Sequence, residues 1–166
     1  MQLSHDEAKL LTGFILSEYE RERTTTAKVL EAIPSGKEDY APDPKSMGAL
    51  KLAWHIAGSE LYFFEGAIQG AFPKSEPDPP ASIHGIAGLL AWYNAKLPAQ
   101  IDKAKSLSGE ALSRLIDFHG IMKIPAYAVL QLMLKHSIHH RGQLSTYLRP
   151  MGGKVPSIYG PSADTK

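Results

Sequence analysis

The chain has 166 residues, of which 43% are hydrophobic and 21% are charged, so its composition is that of a folded globular protein. Its 18 Lys and Arg residues nearly balance 17 Asp and Glu residues, and the resulting net charge of +1 disfavours direct binding to nucleic acid. The absence of cysteine excludes disulfides, a thiolate nucleophile and any Cys-ligated zinc or iron–sulfur centre, so that a metal site would use histidine and carboxylate ligands.

The sequence contains no segment typical of export or membrane insertion. Residues 1–10 lack the basic and apolar regions of a secretory signal, and no apolar run approaches the roughly 18 residues that a membrane span needs. Even the apolar segment 47–71 is interrupted by charged residues such as Lys51 and Glu60. We therefore expect a cytoplasmic protein without a membrane partner, folded as a single domain over residues 1–166 with a loop-like tail at residues 152–166.

The first predicted helix begins after Ser4, whose spacing to Glu7 is that of a capping box. Apolar residues recur with helical spacing on both sides of a polar middle, Ser17 to Lys28, and Pro34 is expected to stop the helix. The polar middle is either an exposed stretch of one long helix or a place where the helix meets a cavity. The first interpretation is favoured.

The second and third predicted helices are joined by a connection rich in proline. The second helix is expected from Met47 to Gly70, with Ser46 as its N-cap. The connection at residues 72–80 is expected to be stiff and polar because of its prolines. The third helix is expected from Ser82, as its N-cap, to Ile101, and Pro98 should kink or split it because proline removes one helical hydrogen bond.

The C-terminal part of the chain predicts one more long helix. Residues 106–124 are ambiguous: Ser108 suggests a short helical turn, and residues 121–124 suggest an extended stretch. Pro125 fits the first turn of a fourth long helix that runs to Leu148 and is stopped by Pro150. Four long amphipathic helices predict an all-α four-helix bundle with long inter-helix connections and an irregular C-terminal tail.

Two histidines of the fourth helix give the strongest functional signal. His136 and His140 are one turn apart, so they lie on the same face of the helix. Because the apolar residues of the helix lie on that face, both histidines are expected to point into the bundle, whereas His139 points outward. Two imidazoles at this spacing suit a single metal ion, although buried core histidines are the competing interpretation. A third ligand is needed, and His55, next to Trp54 on the second helix, is by itself more typical of a boundary histidine than of a ligand.

These residues carry a resemblance. His55, followed by His136-x-x-x-His140-Arg141-Gly142-Gln143 and Tyr147-Leu148-Arg149, resembles the DinB/YfiT-like family of metal-dependent four-helix proteins, which includes bacillithiol- and mycothiol-dependent S-transferases. The resemblance implies that His55, His136 and His140 form a histidine triad that binds a divalent transition metal, such as zinc, nickel, cobalt or iron. It also implies a homodimer.

The resemblance implies a thiol S-transferase in detoxification or stress response, in which a small-molecule thiol attacks an electrophile. A metal-dependent hydrolase on the same triad and a non-catalytic metal-binding or dimerising stress-response protein are the alternatives. An enzyme should keep an open cavity over the triad, whereas a fourth protein ligand should close a structural site. A thiol transferase should also show a cationic or polar shelf for the cosubstrate.

Helix geometry nominates further residues around the predicted site. Gln143 and Tyr147, three and seven residues after His140, are candidates to orient a ligand or a substrate. Arg141 fits an ion pair or a role at the C-terminus of the helix better than catalysis. The fourth helix offers no inward carboxylate beside its histidines, which disfavours a di-iron carboxylate site. His5 and His84 are expected to be solvated. The same interpretation is favoured for His119, and the alternative is that it lines the mouth of a pocket.

Overall fold

The computed structural model describes residues 3–165 and is dominated by four long helices, as predicted. The elements in chain order are α1 (His5–Glu31), α2 (Ala49–Gln69), α3 (Ile86–Ser106), α4 (Gly109–Ser113), β1 (Leu115–Phe118), β2 (Met122–Pro125) and α5 (Ala126–Leu148). Helices α1, α2, α3 and α5 form the bundle, while α4 and the two strands form the connection between α3 and α5. None of the helices described is both long and apolar enough to cross a membrane.

Helix α1 begins with the predicted capping box. The backbone N–H of Ser4 donates to the Glu7 carboxylate at 2.7 Å, and the Glu7 N–H donates to the Ser4 hydroxyl at 3.3 Å. The helix runs unbroken through its polar middle, so the prediction of one long helix is confirmed. The expectation that this stretch is exposed is wrong on one face, because Tyr19, Glu22 and Thr26 are buried; the first two find polar partners on the facing helices.

The N-caps predicted for the second and third helices are wrong. Helix α2 begins after Gly48 and α3 begins after Gly85. A glycine therefore stands at each N-cap position, and no side chain there caps the helix. Ser46 is not needed as a cap because loop carbonyls satisfy the first amides of α2: Ala49 N–H donates to Tyr40 and Leu50 N–H to Glu38, at 2.9 and 2.8 Å. Such pairings join residues distant in sequence and leave no local signal.

Helix α3 continues through Pro98 to Ser106, so of the two effects expected of this proline, a kink or a split, the split does not occur. Proline deprives the carbonyl four residues earlier, that of Asn94, of its helical donor. Asn94 is exposed, and water can therefore hydrate this carbonyl. The interruption occurs on the solvent side of the helix, where its cost is lowest.

A short antiparallel hairpin precedes α5. Strands β1 and β2 pair from Leu115 opposite Pro125 to Phe118 opposite Met122. The extended stretch expected at residues 121–124 is therefore confirmed as β2, whereas its partner strand β1 was not predicted. Pro125 is the N-cap of α5 rather than part of its first turn. The predicted short helical turn is α4, whose N-cap Ser108 accepts from the Ala111 N–H at 3.1 Å.

The most deeply buried part of the bundle is the middle of α2, where every residue from Ile56 to Phe64 is buried. This stretch packs against α5 and α3. Aromatic pairs also join α2 to its neighbours: Phe64 meets Tyr19 of α1 edge-on with ring centroids 5.2 Å apart, and Trp54 meets Trp92 of α3 at 4.9 Å. Helix α2 therefore contacts all three other long helices of the bundle.

The tail has no helix or strand over residues 152–165, as predicted, but it is anchored. Arg141 is buried and forms an ion pair with the buried Glu22 carboxylate, which confirms the ion-pair interpretation for Arg141. The Tyr159 hydroxyl accepts from Arg141 at 2.6 Å and donates to Glu22 at 3.0 Å. The tail thus completes the hydrogen bonding of a buried charge pair between α1 and α5.

Candidate metal centre

Three histidines from two helices converge at one point of the bundle. One ring nitrogen from each of His55, His136 and His140 lies within 4.8 Å of the others. The ring centroids are 4.4 Å apart for His136 and His140, 4.6 Å for His55 and His140, and 5.0 Å for His55 and His136. The structure therefore brings together the three residues that the resemblance implied, and the group has the ligand types and proximity to hold a metal ion.

Helix geometry explains the convergence. The four-residue spacing in α5 places His136 and His140 on one face, and that face meets α2 where Ala53 and Ala57 are fully buried. These small side chains leave room for the imidazole of His55 between the helices. The Phe63 ring covers His136 at a centroid distance of 5.5 Å, so the deepest imidazole of the group is shielded from water.

The other histidines lie outside the group. His5, His84 and His139 are exposed, as predicted. His119 is exposed at the hairpin turn, where it adopts a positive φ of 51°, and its Nε2 lies 2.5 Å from the Tyr62 hydroxyl. It does not line the cavity described below.

Gln143 contacts the triad as predicted. Its side-chain oxygen accepts from Nδ1 of His140 at 2.8 Å, which leaves Nε2 of His140 with a free lone pair. Tyr147 is more remote from the triad, because its hydroxyl accepts from the Gln143 amide at 3.4 Å. Of the two candidates, Gln143 is therefore the one in direct contact with a triad imidazole, and Tyr147 lies behind it.

Glu76 is a site residue that the sequence did not predict. Its carboxylate accepts from Nδ1 of His55 at 3.1 Å and from the Ser59 hydroxyl at 2.8 Å. Burial opposes the charged form, but the hydrogen bonds from His55 and Ser59 outweigh it and hold the pKa of Glu76 below its ordinary value. Glu76 lies in the proline-rich connection, 21 residues from His55, where no periodic pattern marks a residue as inward.

His136 and His140 are held in the neutral form that a metal ligand needs. Burial, reinforced by the neighbouring His140 and His55, lowers the pKa of His136 to about 4. Burial also lowers the pKa of His140, against the opposing hydrogen bond of Gln143. Both rings are therefore neutral at pH 7 and carry a lone pair. Nδ1 of His136 is buried without a hydrogen-bond partner among the described residues, and such an orphaned nitrogen fits a site built to hold a cation.

A cavity of about 640 Å³ adjoins the triad on the side of His55. Its wall contains the indole of Trp54, whose Nε1 donates to the Pro77 carbonyl at 3.1 Å. The lining is apolar for the most part and includes three carboxylates and one ammonium group: Met47, Leu50, Trp54, Pro77, Pro79 and Ile83, with Asp39, Glu76, Asp78 and Lys51. The site therefore has a compartment large enough for a small organic molecule.

A second carboxyl group lies deeper in the bundle, and its partners could not be predicted from the sequence. Glu60 on α2 is fully buried and accepts hydrogen bonds from the Tyr19 hydroxyl at 2.5 Å and from the hydroxyl of Ser137, the residue after His136. Burial raises the pKa of Glu60 to about 7, although the hydrogen bonds from Ser137 and Tyr19 oppose the shift. This carboxyl joins α1, α2 and α5 below the triad.

Comparisons with known proteins identify the family and the fold of this chain. The model of the DinB family matches residues 6–165. The uncharacterized protein YjoA of Bacillus subtilis (strain 168) is 30% identical over 144 residues, which cover 83% of this chain and 89% of YjoA. The uncharacterized protein YrdA of the same organism is 27% identical over 153 residues, which cover 90% of this chain and 88% of YrdA.

Two solved structures share the architecture. The crystal structure of the DinB-like YjoA of Bacillus subtilis superposes with a TM-score of 0.70 at 29% identity, covering 89% of this chain and 99% of that one. A DinB-like protein from Bacillus cereus ATCC 10987 has a TM-score of 0.73 at 22% identity, covering 87% and 95%. The second likeness supports the fold alone.

Proposed function

Because this chain belongs to the DinB family, we propose that it is a metal-dependent enzyme in which His55, His136 and His140 hold a divalent transition metal. The observation that carries the proposal is the convergence of three imidazoles beside a cavity of about 640 Å³. Three protein ligands leave positions open for substrate, as in catalytic sites, whereas structural sites use four. The non-catalytic alternative gives no role to that cavity.

The donor set narrows the metal without fixing it. Imidazole nitrogens suit zinc, nickel, cobalt and ferrous iron, and hard oxygen-seeking ions such as magnesium and calcium are disfavoured. A divalent ion bound here would favour the deprotonated form of a thiol or of water and would stabilise negative charge on a reacting group. The chain supplies neutral ligands and one nearby anion, Glu76.

The leading reaction is thiol S-transfer onto an electrophile held in the cavity. The sulfur of a small-molecule thiol forms a bond to an electrophilic carbon, the leaving group departs with its electron pair, and the thiol proton passes to solvent. The chain contains no cysteine, so the sulfur must arrive with the cosubstrate. Leu50 and Trp54 would pack against the apolar part of the electrophile, and Lys51 is the cation of the lining that can meet an anionic group.

Hydrolysis is the second candidate, and the charge of the cavity favours it. Three carboxylates and one ammonium group line the compartment, so a cosubstrate rich in carboxylates would be repelled more than attracted. Water carries no net charge and would not be repelled. Of the expected cationic or polar shelf, the lining of this cavity offers one cation, Lys51. The two reactions share the triad and the cavity and differ in the nucleophile.

A homodimer is part of the proposal. Leu10 and Phe14 lie one turn apart on α1 and are 65% and 67% exposed, which is typical of an apolar patch that a second copy covers. The cytoplasmic location and a role in detoxification or stress response stay predictions.

An activity screen tests the proposal. Protein loaded with zinc, nickel, cobalt or ferrous iron would be offered mercaptoethanol or cysteine with an activated aryl chloride, and separately a nitrophenyl ester. We expect turnover that His140→Ala abolishes and that His139→Ala, a change in the exposed neighbour, leaves intact. Equal rates for these two variants, or equal rates with and without metal, would refute an enzyme based on this triad.

A further inference from the structure

The proline-rich segment between α2 and α3 is fastened to α2 at the proposed metal centre. Trp54 Nε1 donates to the Pro77 carbonyl at 3.1 Å, and Nδ1 of His55 and the hydroxyl of Ser59 meet the two oxygens of Glu76 at 3.1 and 2.8 Å. Prolines flank this point on both sides and restrict the backbone φ angles. The segment therefore presents the Glu76 carboxylate to His55 from a constrained backbone.

The chemistry of these contacts selects one form of the His55 ring. A neutral imidazole carries its proton on either Nδ1 or Nε2, and the partner of one nitrogen decides between them. An ionised carboxylate only accepts, so Glu76 requires the proton on Nδ1. The Ser59 hydroxyl gives its proton to Glu76, which leaves its oxygen as a second acceptor 3.3 Å from the same Nδ1. Nε2 of His55 is thereby left with the lone pair.

The three histidines differ in the hydrogen-bond partner of Nδ1. Nδ1 of His140 has a neutral amide partner, Gln143, and Nδ1 of His136 has no hydrogen-bond partner within residues 3–165. Only His55, in the same range, is bonded to a carboxylate. A carboxylate partner makes an imidazole a stronger donor to a metal ion and fixes its orientation.

We infer that Glu76 is a positioning residue for the proposed centre: held by Ser59, its carboxylate fixes His55 in the Nδ1–H tautomer and so aims the lone pair of Nε2 at the site. The inference about metal affinity rests on the proposed function, whereas the tautomer is a property of the metal-free chain. Glu76 acts through His55 and not as a ligand.

Three variants test this role. Glu76→Ala removes the acceptor, and Glu76→Gln keeps an acceptor oxygen but removes the charge. Asp78→Asn is the matched control, because Asp78 lies two residues further along the same segment and lines the same cavity, yet has no hydrogen bond or ion pair in the part of the chain that is described. The side chain of Glu76 is 40% exposed, so the substitutions should leave the fold intact.

The first readout needs no metal. Long-range ¹H–¹⁵N spectra of the metal-free protein report which nitrogen of His55 is protonated. We expect the Nδ1–H form in the wild type, in Glu76→Gln and in Asp78→Asn, and a mixture of tautomers in Glu76→Ala. A wild-type His55 with its proton on Nε2, or a Glu76→Ala spectrum identical to that of the wild type, would overturn the inference.

The second readout is affinity for zinc, measured by competition with a chromophoric chelator. We expect Glu76→Ala to bind about 10- to 100-fold more weakly, Glu76→Gln to lie between, and Asp78→Asn to stay within about twofold of the wild type. The cobalt absorption bands should keep their positions in Glu76→Ala, since the ligands are unchanged; a new band pattern would overturn the inference in favour of direct ligation. Absence of zinc binding in the wild type would refute the proposed function, while the tautomer spectra would still decide the role of Glu76.

Discussion

The buried carboxyl of Glu60 makes the stability of the protein depend on pH in a calculable way. Burial raises its pKa to about 7 in the folded chain from an ordinary value of 4.5. Between these two values the folded state binds more protons than the unfolded state, so stability is lost as the pH rises. Integration over this shift gives a loss of about 2–3 kcal/mol between pH 5 and pH 8 from this one group.

The substitution Glu60→Gln removes that contribution. Glutamine has nearly the shape of glutamic acid, and its amide can bond to the hydroxyls of Tyr19 and Ser137, each of which can donate or accept. The variant should therefore match the wild type within about 1 kcal/mol at pH 5 and should be more stable by about 3 kcal/mol at pH 8. Other titrating groups, including His136 and His140, contribute equally to both proteins and cancel in the difference.

Urea unfolding of the metal-free proteins at pH 5, 6, 7 and 8 measures this difference. Glu65→Gln is the control, because Glu65 lies on the same helix but is only partly buried, and its difference from the wild type should vary little with pH. A Glu60→Gln difference that stays flat across the series, or that shows destabilisation at pH 8, would refute the assignment of a raised pKa to this carboxyl.

Three further predictions concern other contacts. Arg141→Leu leaves the Glu22 carboxylate buried without its cation, so unfolding in urea should show a loss of about 3–5 kcal/mol, and a loss under about 1 kcal/mol would contradict a desolvated pair. Gln143→Ala should weaken zinc binding about tenfold in chelator competition, whereas Tyr147→Phe should change it by less than about twofold; the reverse order would contradict the contacts seen. Replacing Leu10 and Phe14 by serine should convert a dimer to a monomer in sedimentation velocity, and an unchanged sedimentation coefficient would exclude this patch as the interface.

The long helices and the inward direction of His136 and His140 could be predicted because both depend on local spacing. The 3.6-residue period places His136 and His140 on one face and His139 on the other, whatever the rest of the chain does. Ser4 was correct as an N-cap because its bond closes within three residues, and the short helical turn suggested at Ser108 is held by a bond of the same span. The role of His55 depended on the family resemblance, since its own neighbours are those of a boundary histidine.

Contacts between distant segments could not be predicted from the sequence. Ser46 lost its expected role because carbonyls of the preceding loop satisfy the first amides of α2. Glu60 interrupts an apolar run and gave no hint that Tyr19, 41 residues earlier, would meet it. Glu76 lies in a proline-rich loop with no period to indicate an inward side chain. In each case the partner is fixed by tertiary packing, on which a single sequence carries no pattern.

The most direct test of the proposed metal centre is elemental analysis of the protein purified without an affinity tag or a chelator. Wild type and His139→Ala should each contain about one equivalent of a transition metal, and His55→Ala should contain little or none. Absence of metal from the wild type, with no uptake from a panel of divalent ions, would return the three histidines to a packing role. Retention of a full equivalent by His55→Ala would contradict a site that joins α2 to α5.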